Sequence, residues 1–211
     1  MKHFTRKEFG ELGKIERANL INSISGYKSA NLIGTISETK QTNLAIFSSV
    51  VHIGANPPLL GFIMRPVAEV ERHTYENIKQ TGFYTINHVH ESFVEKAHYT
   101  SAKFDRQVSE FMVCALTEEF HADFAAPFVG ESHIKIGLKF AEEIPIKINN
   151  TILVIGEIEH LIFPENALLQ NGNIDLNTVE DVCISSLDTY HSVTKIAAFP
   201  FARTSNLPEF D

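Results

Sequence analysis

The run TILVIGEIEHLIF at 151–163 is the stretch that most narrows what this chain can fold into. It is long, rich in β-branched residues and apolar on both faces, so it needs cover on two sides, as in a barrel or a sheet stack. Strand-like text recurs along the chain: ANLIGTIS at 30–37, NLAIFSSVVHI at 43–53, LLGFIMRP at 59–66, FYTINHV at 83–89 and HIKIGLKFAEEI at 133–144. The first two are joined by ETKQT and form a hairpin by spacing, although the Asn-Gly turn signature is absent. The third follows the turn at Gly54–Pro58 and ends at Pro66.

Helical signals are fewer. Thr5 and Glu8 have capping-box spacing, ahead of the breakers Gly10 and Gly13. In RHTYENIKQTG at 72–82, Thr74 is the expected N-cap and Gly82 takes the C′ position, giving a helix of about two turns. Residues 91–111 read as one helix followed by a mobile loop, and NGNIDL at 171–176 as a turn. Five or more strands with two or three helices give a mainly β fold, a barrel with a few peripheral helices. The expectation is a single domain over 1–211, with a helical lead-in at 1–27 and a loose tail at 203–211.

Composition excludes several classes. With 44% hydrophobic residues and 16 Phe, the chain has ample material for a core. A formal charge of -8 makes nucleic acid or an anionic membrane surface a poor partner for the whole molecule, while leaving room for a local basic pocket. The N-terminus, MKHFTRKEFGELGK, lacks a signal-peptide apolar core, and no run approaches the ~18 apolar residues of a membrane span. A cytoplasmic location with no membrane partner is expected. Cys114 and Cys183 read as buried reduced thiols.

Dinucleotide and P-loop fingerprints are absent, as is the GxSxG elbow. His88 and His90 form an HxH pair with His98, His121 or His133 as third-ligand candidates, which leaves a metal-dependent enzyme as a remote alternative; surface histidines explain the same text. Ser48 and His52 lie four residues apart on one strand, roughly 13 Å at ~3.3 Å per residue, too far for a catalytic triad. No metal site is expected, and no catalytic residue is named.

Another constellation survives. Arg65 ends a strand, and Arg72, His73 and Thr74 open the following helix, so a guanidinium, an imidazole, a hydroxyl and free helix amides can converge on one phosphate. Pairing of Arg72 with Glu69 or Glu76 is the plainer alternative. Just upstream, Ser48 and Ser49 interrupt an apolar run where a core favours Leu or Val. A buried hydroxyl needs a hydrogen-bond partner, so either the backbone supplies one or a flat polar ring lies against the strand. Phosphate at one end and ring acceptors at the other describe a mononucleotide.

The ordered segments NLAIFSS (43–49), GANPPL (54–59), RP (65–66), RHTYENI (72–78), TGFYTIN (81–87), SEF (109–111), APFVGES (126–132) and LDTYH (187–191) resemble the flavin reductase-like, FMN-binding split-barrel family, in its flavoredoxin-type branch. The resemblance spans nearly the whole chain from about Lys28. It implies a Greek-key split β-barrel, non-covalent FMN and a homodimer whose interface helps form the flavin site. By position, Asn43, Ala45, Ile46, Phe47, Ser48 and Ser49 would line the isoalloxazine and ribityl chain, and Arg65, Arg72, His73 and Thr74 would hold the phosphate. Asn31 and the Tyr190-His191 pair are further candidates near the ring. Ser185-Ser186 departs from the pattern, which has glycine there, and puts the local backbone geometry in question.

The activity so implied is an FMN oxidoreductase of flavin reductase type, taking hydride from NAD(P)H and passing electrons to a flavin, a ferric complex or another small-molecule acceptor. A flavin-binding electron carrier or sensor without NAD(P)H oxidase activity is the alternative. The loop at 99–108, with Lys103 and Arg106, is placed to cover the open flavin face or to stand as a solvated charged loop.

Overall fold

The computed structural model describes every residue except Glu69, Ala122 and Asp211. The chain opens with helices α1 (Arg6–Glu11) and α2 (Lys14–Ile24), continues through strands β1 (Lys28–Ser29), β2 (Asn31–Ile36), β3 (Thr42–Phe47), β4 (Val51–Ala55) and β5 (Pro58–Met64), and enters helix α3 (His73–Thr81). Strand β6 (Phe83–His88), helices α4 (Val94–Tyr99) and α5 (Glu110–Val113), and strands β7 (Glu118–Glu119), β8 (Phe128–Val129), β9 (Lys135–Ile146), β10 (Thr151–Ile162), β11 (Cys183–Ser185) and β12 (Thr189–His191) complete it.

Seven strands form one antiparallel sheet in the order β3-β2-β6-β9-β10-β5-β4. The chain passes from β3 to β4 through only residues 48–50, yet these strands lie at opposite ends of that order. The sheet must therefore curl until its two ends meet. Ser49 makes the closure: its hydroxyl accepts from the Ile63 N–H (3.1 Å) and donates to the Ile63 carbonyl (3.3 Å) in β5. Beside it the Phe47 and Phe62 rings meet edge-on at 5.0 Å. The fold is a mainly β split barrel.

Period-2 alternation divides the apolar residues between two cores. Ile33, Phe62, Tyr84, Ile86, Leu138 and Val154 fill the barrel with Ile78 of α3, while Leu32, Leu44, Val89, Phe93, Phe111 and Ile184 pack between the outer face and the helical excursions. Each such side chain stabilises the fold by ~1.5–3 kcal/mol on burial. All six residues of β2 are buried because both of its faces are covered. Across β2 and β6 lies the APFVG segment. Thr85 donates to the Pro127 carbonyl (2.6 Å), and the Val129 N–H donates to Asn87 Oδ1 (3.0 Å). A Cβ at Gly34 would stand 2.4 Å from that Pro127 oxygen, which explains glycine in a strand interior.

Several local expectations need correction. The strand expected over 43–53 is two strands, because the chain must turn the barrel corner at 48–50; the serines sit in that corner, outside β3. Helix α3 starts two residues early with Arg72 as N-cap, since Thr74 is buried and its hydroxyl is engaged by Asn43. Strand β10, expected inside a barrel or sheet stack, lies between β9 and β5, with Leu161 its one largely exposed apolar residue. The 91–111 segment holds helix α4 followed by a loop, as expected, and its last two residues open helix α5. At 186, where the pattern has glycine, Ser186 adopts φ +55°, a left-handed conformation, and its hydroxyl meets Ser23 Oγ of α2 at 2.7 Å.

Candidate functional site

Strand β3 is an end strand, so alternate backbone groups face away from β2. The outward Leu44 N–H is capped at 2.9 Å by Glu110 Oε2 from α5. One rung earlier, the Thr42 hydroxyl meets Ser109 Oγ (2.7 Å) and Glu118 Oε1 (2.6 Å). One rung later, by the same alternation, the N–H and carbonyl of Ile46 also face outward, and they have no partner among the described residues. Residues Ala45 to Val50 are all half-buried, in contrast to the buried start of the strand. Thus β3 ends in an accessible rim carrying one donor and one acceptor, flanked by Phe47 and by Ser48, whose hydroxyl also has no partner among the described residues.

The opposite rung contributes Asn31, which pairs with Phe47 across β2–β3. Asn31 is fully buried; its amide nitrogen donates to Ser29 O (3.1 Å) and Ser29 Oγ (2.8 Å), while its Oδ1 is unpartnered among the described residues. An orphaned buried acceptor costs free energy unless a donor arrives.

The connection from β5 to α3 supplies positive charge. Arg65 and Arg72 lie close enough that the Arg65 guanidinium, with partial burial as the larger cause, lowers the pKa of Arg72. The Arg72 Nε–H donates to the Pro66 carbonyl at 3.3 Å, and neither guanidinium has a carboxylate partner among the described residues. Glu76, the alternative partner, pairs instead with Arg106 and accepts from the Arg72 backbone N–H at 3.3 Å. Glu69 lies outside the described residues. His73 lines a cleft of about 470 Å³ together with Asn43, Glu76, Asn77 and Arg106. Two guanidiniums near one another at a helix start are a charge arrangement that would suit an anion.

Not every expected residue faces that site. Asn43 donates to Thr74 Oγ1 (3.0 Å), and Asn77 donates to Thr35 Oγ1 (3.1 Å), so this buried polar group fastens α3 to β2 and β3. Ser49 is committed to Ile63, as described. The structure therefore places Arg65 near Arg72, turns the His73 imidazole toward Glu71 with Nε2 3.6 Å from its carboxylate, groups Asn43 with Thr74, and sets Ala45 to Ser48 along the rim of β3.

Residues 25–176 match the family model described as flavin reductase like domain. The chain belongs to the flavin reductase like family. The flavin reductase-like chain is also similar to a crystal structure of a candidate flavin reductase with split barrel domain from Shewanella frigidimarina NCIMB 400, at 50% identity and a TM-score of 0.92 over 96% of this chain and 100% of that one. Flavoredoxin of Desulfovibrio vulgaris (Miyazaki F) shares the fold, with 24% identity and a TM-score of 0.72 over 85% of this chain and 93% of that one. An uncharacterized protein, BH2278, of Halalkalibacterium halodurans is 28% identical over 145 residues, 66% of this chain and 69% of that protein.

The remaining candidates of this flavin reductase-like protein have other partners. His88 Nδ1 lies 2.7 Å from Asp181 Oδ2, and His90 bridges Ser92 (2.8 Å) and Glu180 (3.1 Å). The His133 ring packs edge-on against His90 at 4.4 Å. Among the described residues no three His, Cys, Asp or Glu groups converge as metal ligands. These histidines hold the 179–182 segment against β6. Tyr190 contacts His98 Nδ1 at 3.1 Å and packs against the same core cluster as Ile46; burial, then Asp188, pushes its phenol up to about 12. Among the described residues no helix is long and apolar enough to cross a membrane.

Glu110 lies in the SEF segment, whose sequence alone gives it no task. Its carboxyl is 5% exposed, and burial raises its pKa although the Leu44 N–H and His73 oppose the shift. The available signal was an acidic residue within an apolar helix turn. Loop residue Arg106 meets Glu76, so the 99–108 loop is tied to α3.

Proposed function

We propose that this chain binds one FMN non-covalently and works as an oxidoreductase of flavin reductase type in the cytoplasm, with NAD(P)H as donor and a free flavin, a ferric complex or another small molecule as acceptor. The observation that carries the reading is the pairing of Arg65 with Arg72, without a carboxylate partner among the described residues, beside the uncapped Ile46 rim of β3. Guanidiniums and His73 fit a phosphate dianion. The Ile46 N–H and carbonyl, with the Ser48 hydroxyl, fit the alternating acceptors and donors along a flavin's edge, and the orphan Asn31 Oδ1 fits a ring N–H.

FMN, when bound, supplies the two-electron redox chemistry, so the protein needs no obligatory acid or base. The chain's own tasks are positional. Arg65, Arg72 and His73 neutralise and anchor the phosphate. The half-buried Ile46 side chain offers an apolar surface that shields one side from water, and the rim groups fix the ring's orientation. The loop bearing Arg106, tied to Glu76, borders the approach to that surface.

A homodimer accompanies this reading. In the C-terminal segment, Ile196, Phe199, Phe201, Leu207 and Phe210 are 66–100% exposed, more apolar surface than a monomer ordinarily leaves bare. Purified protein is expected to be yellow, or to quench added FMN with about one flavin per chain, and anaerobic NADH or NADPH should bleach the flavin band in stopped flow. A colourless protein that ignores added FMN overturns the binding claim. Flavin that stays oxidised with both nucleotides overturns the reductase and leaves the electron carrier or sensor.

A further inference from the structure

We infer that Glu110 is a positioning residue for the flavin, acting through the β3 backbone; this rests on the FMN reading above. Its carboxylate accepts from the Leu44 N–H at 2.9 Å, doing for that rung what a neighbouring strand does elsewhere in the sheet. The next outward rung, at Ile46, belongs to the proposed ring site. The spacing of two residues means that the two rungs share one pleat, so any shift of Leu44 is passed to Ile46.

Three further contacts fasten α5 and its flanks to β3, but through side chains, so that of these residues Glu110 alone holds the strand's backbone. Ser109 and Glu118 hold Thr42 at the preceding rung, and Phe111 packs beside Leu44 in the same core. Glu110 is also within electrostatic reach of His73 at the start of α3, which opposes part of the burial effect on the carboxyl. Glu110 thus touches the backbone leading to the ring rim and lies within electrostatic reach of the anion site, so it fixes the relation between the two. A carboxylate buried to 5% exposure merely to cap one amide is a costly solution where an apolar residue would pack. Position, not stability, is what it provides.

The test compares Glu110→Ala, Glu110→Gln and Thr42→Val by riboflavin and FMN titration, by the shape of the bound-flavin absorption bands and by thermal unfolding of the ligand-free proteins. Riboflavin isolates the ring site from the phosphate. Glu110→Ala should weaken riboflavin about fivefold to tenfold and blur the band structure. Glu110→Gln, which keeps an acceptor for Leu44, should restore both to within about twofold. Thr42→Val, which loosens the edge but leaves the Leu44 cap, should lower the melting temperature with riboflavin affinity unchanged. If Glu110→Ala does not fold, the proposal stands or falls on the other two variants. A Gln variant with weakened riboflavin binding, or a Thr42→Val loss equal in size, overturns it. Failure of the wild type to bind either flavin instead overturns the FMN reading, and so the two failures are distinguishable.

Discussion

Replacing Ser49 by alanine removes the hydroxyl that accepts from the Ile63 N–H at 3.1 Å and donates to the Ile63 carbonyl at 3.3 Å. The second bond is long for a hydroxyl donor and contributes little. The first leaves a backbone N–H without a partner when it is lost. For a half-buried site this costs ~1–2 kcal/mol, the lower part of the range for an unsatisfied donor. For a chain of this size, each kcal/mol moves the melting temperature by ~2–4 °C, so a fall of ~2–8 °C is expected. Circular dichroism melts of ligand-free protein measure it. Ser48→Ala supplies the contrast: its hydroxyl has no protein partner among the described residues, so stability should stay within about 0.5 kcal/mol while flavin affinity falls about fivefold. Equal melting temperatures for both variants, or a larger drop for Ser48→Ala, would refute the assignment of one serine to barrel closure and the other to ligand.

Arg72→Ala should weaken FMN by roughly tenfold to a hundredfold, the value of a charge-assisted bond, and leave riboflavin nearly unaffected; equal losses in a quenching titration would make Arg72 structural. Gly34→Ala drives a methyl to 2.4 Å from the Pro127 carbonyl and 2.6 Å from Thr85 Oγ1. A loss of ~2–3 kcal/mol in urea unfolding is expected, and an unchanged midpoint would contradict the packing described. Removal of residues 196–211 should convert a dimer into a monomer in light scattering across a dilution series; an unchanged mass would locate the interface elsewhere. Burial raises the Glu110 pKa above 4.5, so the folded state holds this proton more tightly than the unfolded chain does. The resulting stability is present below pH 4.5 and is lost as pH rises through the raised value. Glu110→Gln should flatten that part of the stability–pH curve, and an unaltered slope in urea titrations would reject the sign.

Much of the barrel was legible because its strands carry their own pattern. The β2–β3 hairpin and the β9 and β10 strands follow from β-branched runs and breakers. Helix α1 follows from its Thr5–Glu8 capping box, which the structure contains. What stayed hidden depends on contacts remote in sequence. The corner at 48–50 is set by closure onto Ile63, which local text does not encode. The Thr74 hydroxyl is directed by Asn43, 31 positions away, so its capping propensity was overridden. The Arg65–Arg72 cluster was readable from spacing, whereas Glu110 acquires its task only when α5 lies along β3. Ser186 is intermediate: the family pattern announced an unusual backbone there, and the Ser23 hydroxyl on α2 shows how a non-glycine residue is held in it.

The rim of β3 also bears on how this protein keeps or loses its solubility. An unpaired strand border is a template on which foreign strands can grow, and two acidic side chains, Glu110 and Glu118, stand along this one like sentries, the first on the Leu44 rung and the second through Thr42. Among the described residues the Ile46 rung has no such guard. A ligand that takes that rung completes the guard, so empty protein should be the fraction that self-associates on storage or heating. The same opening that admits a small flat molecule is then the weak point of the fold, and supplying that molecule during expression is the direct means of protecting it.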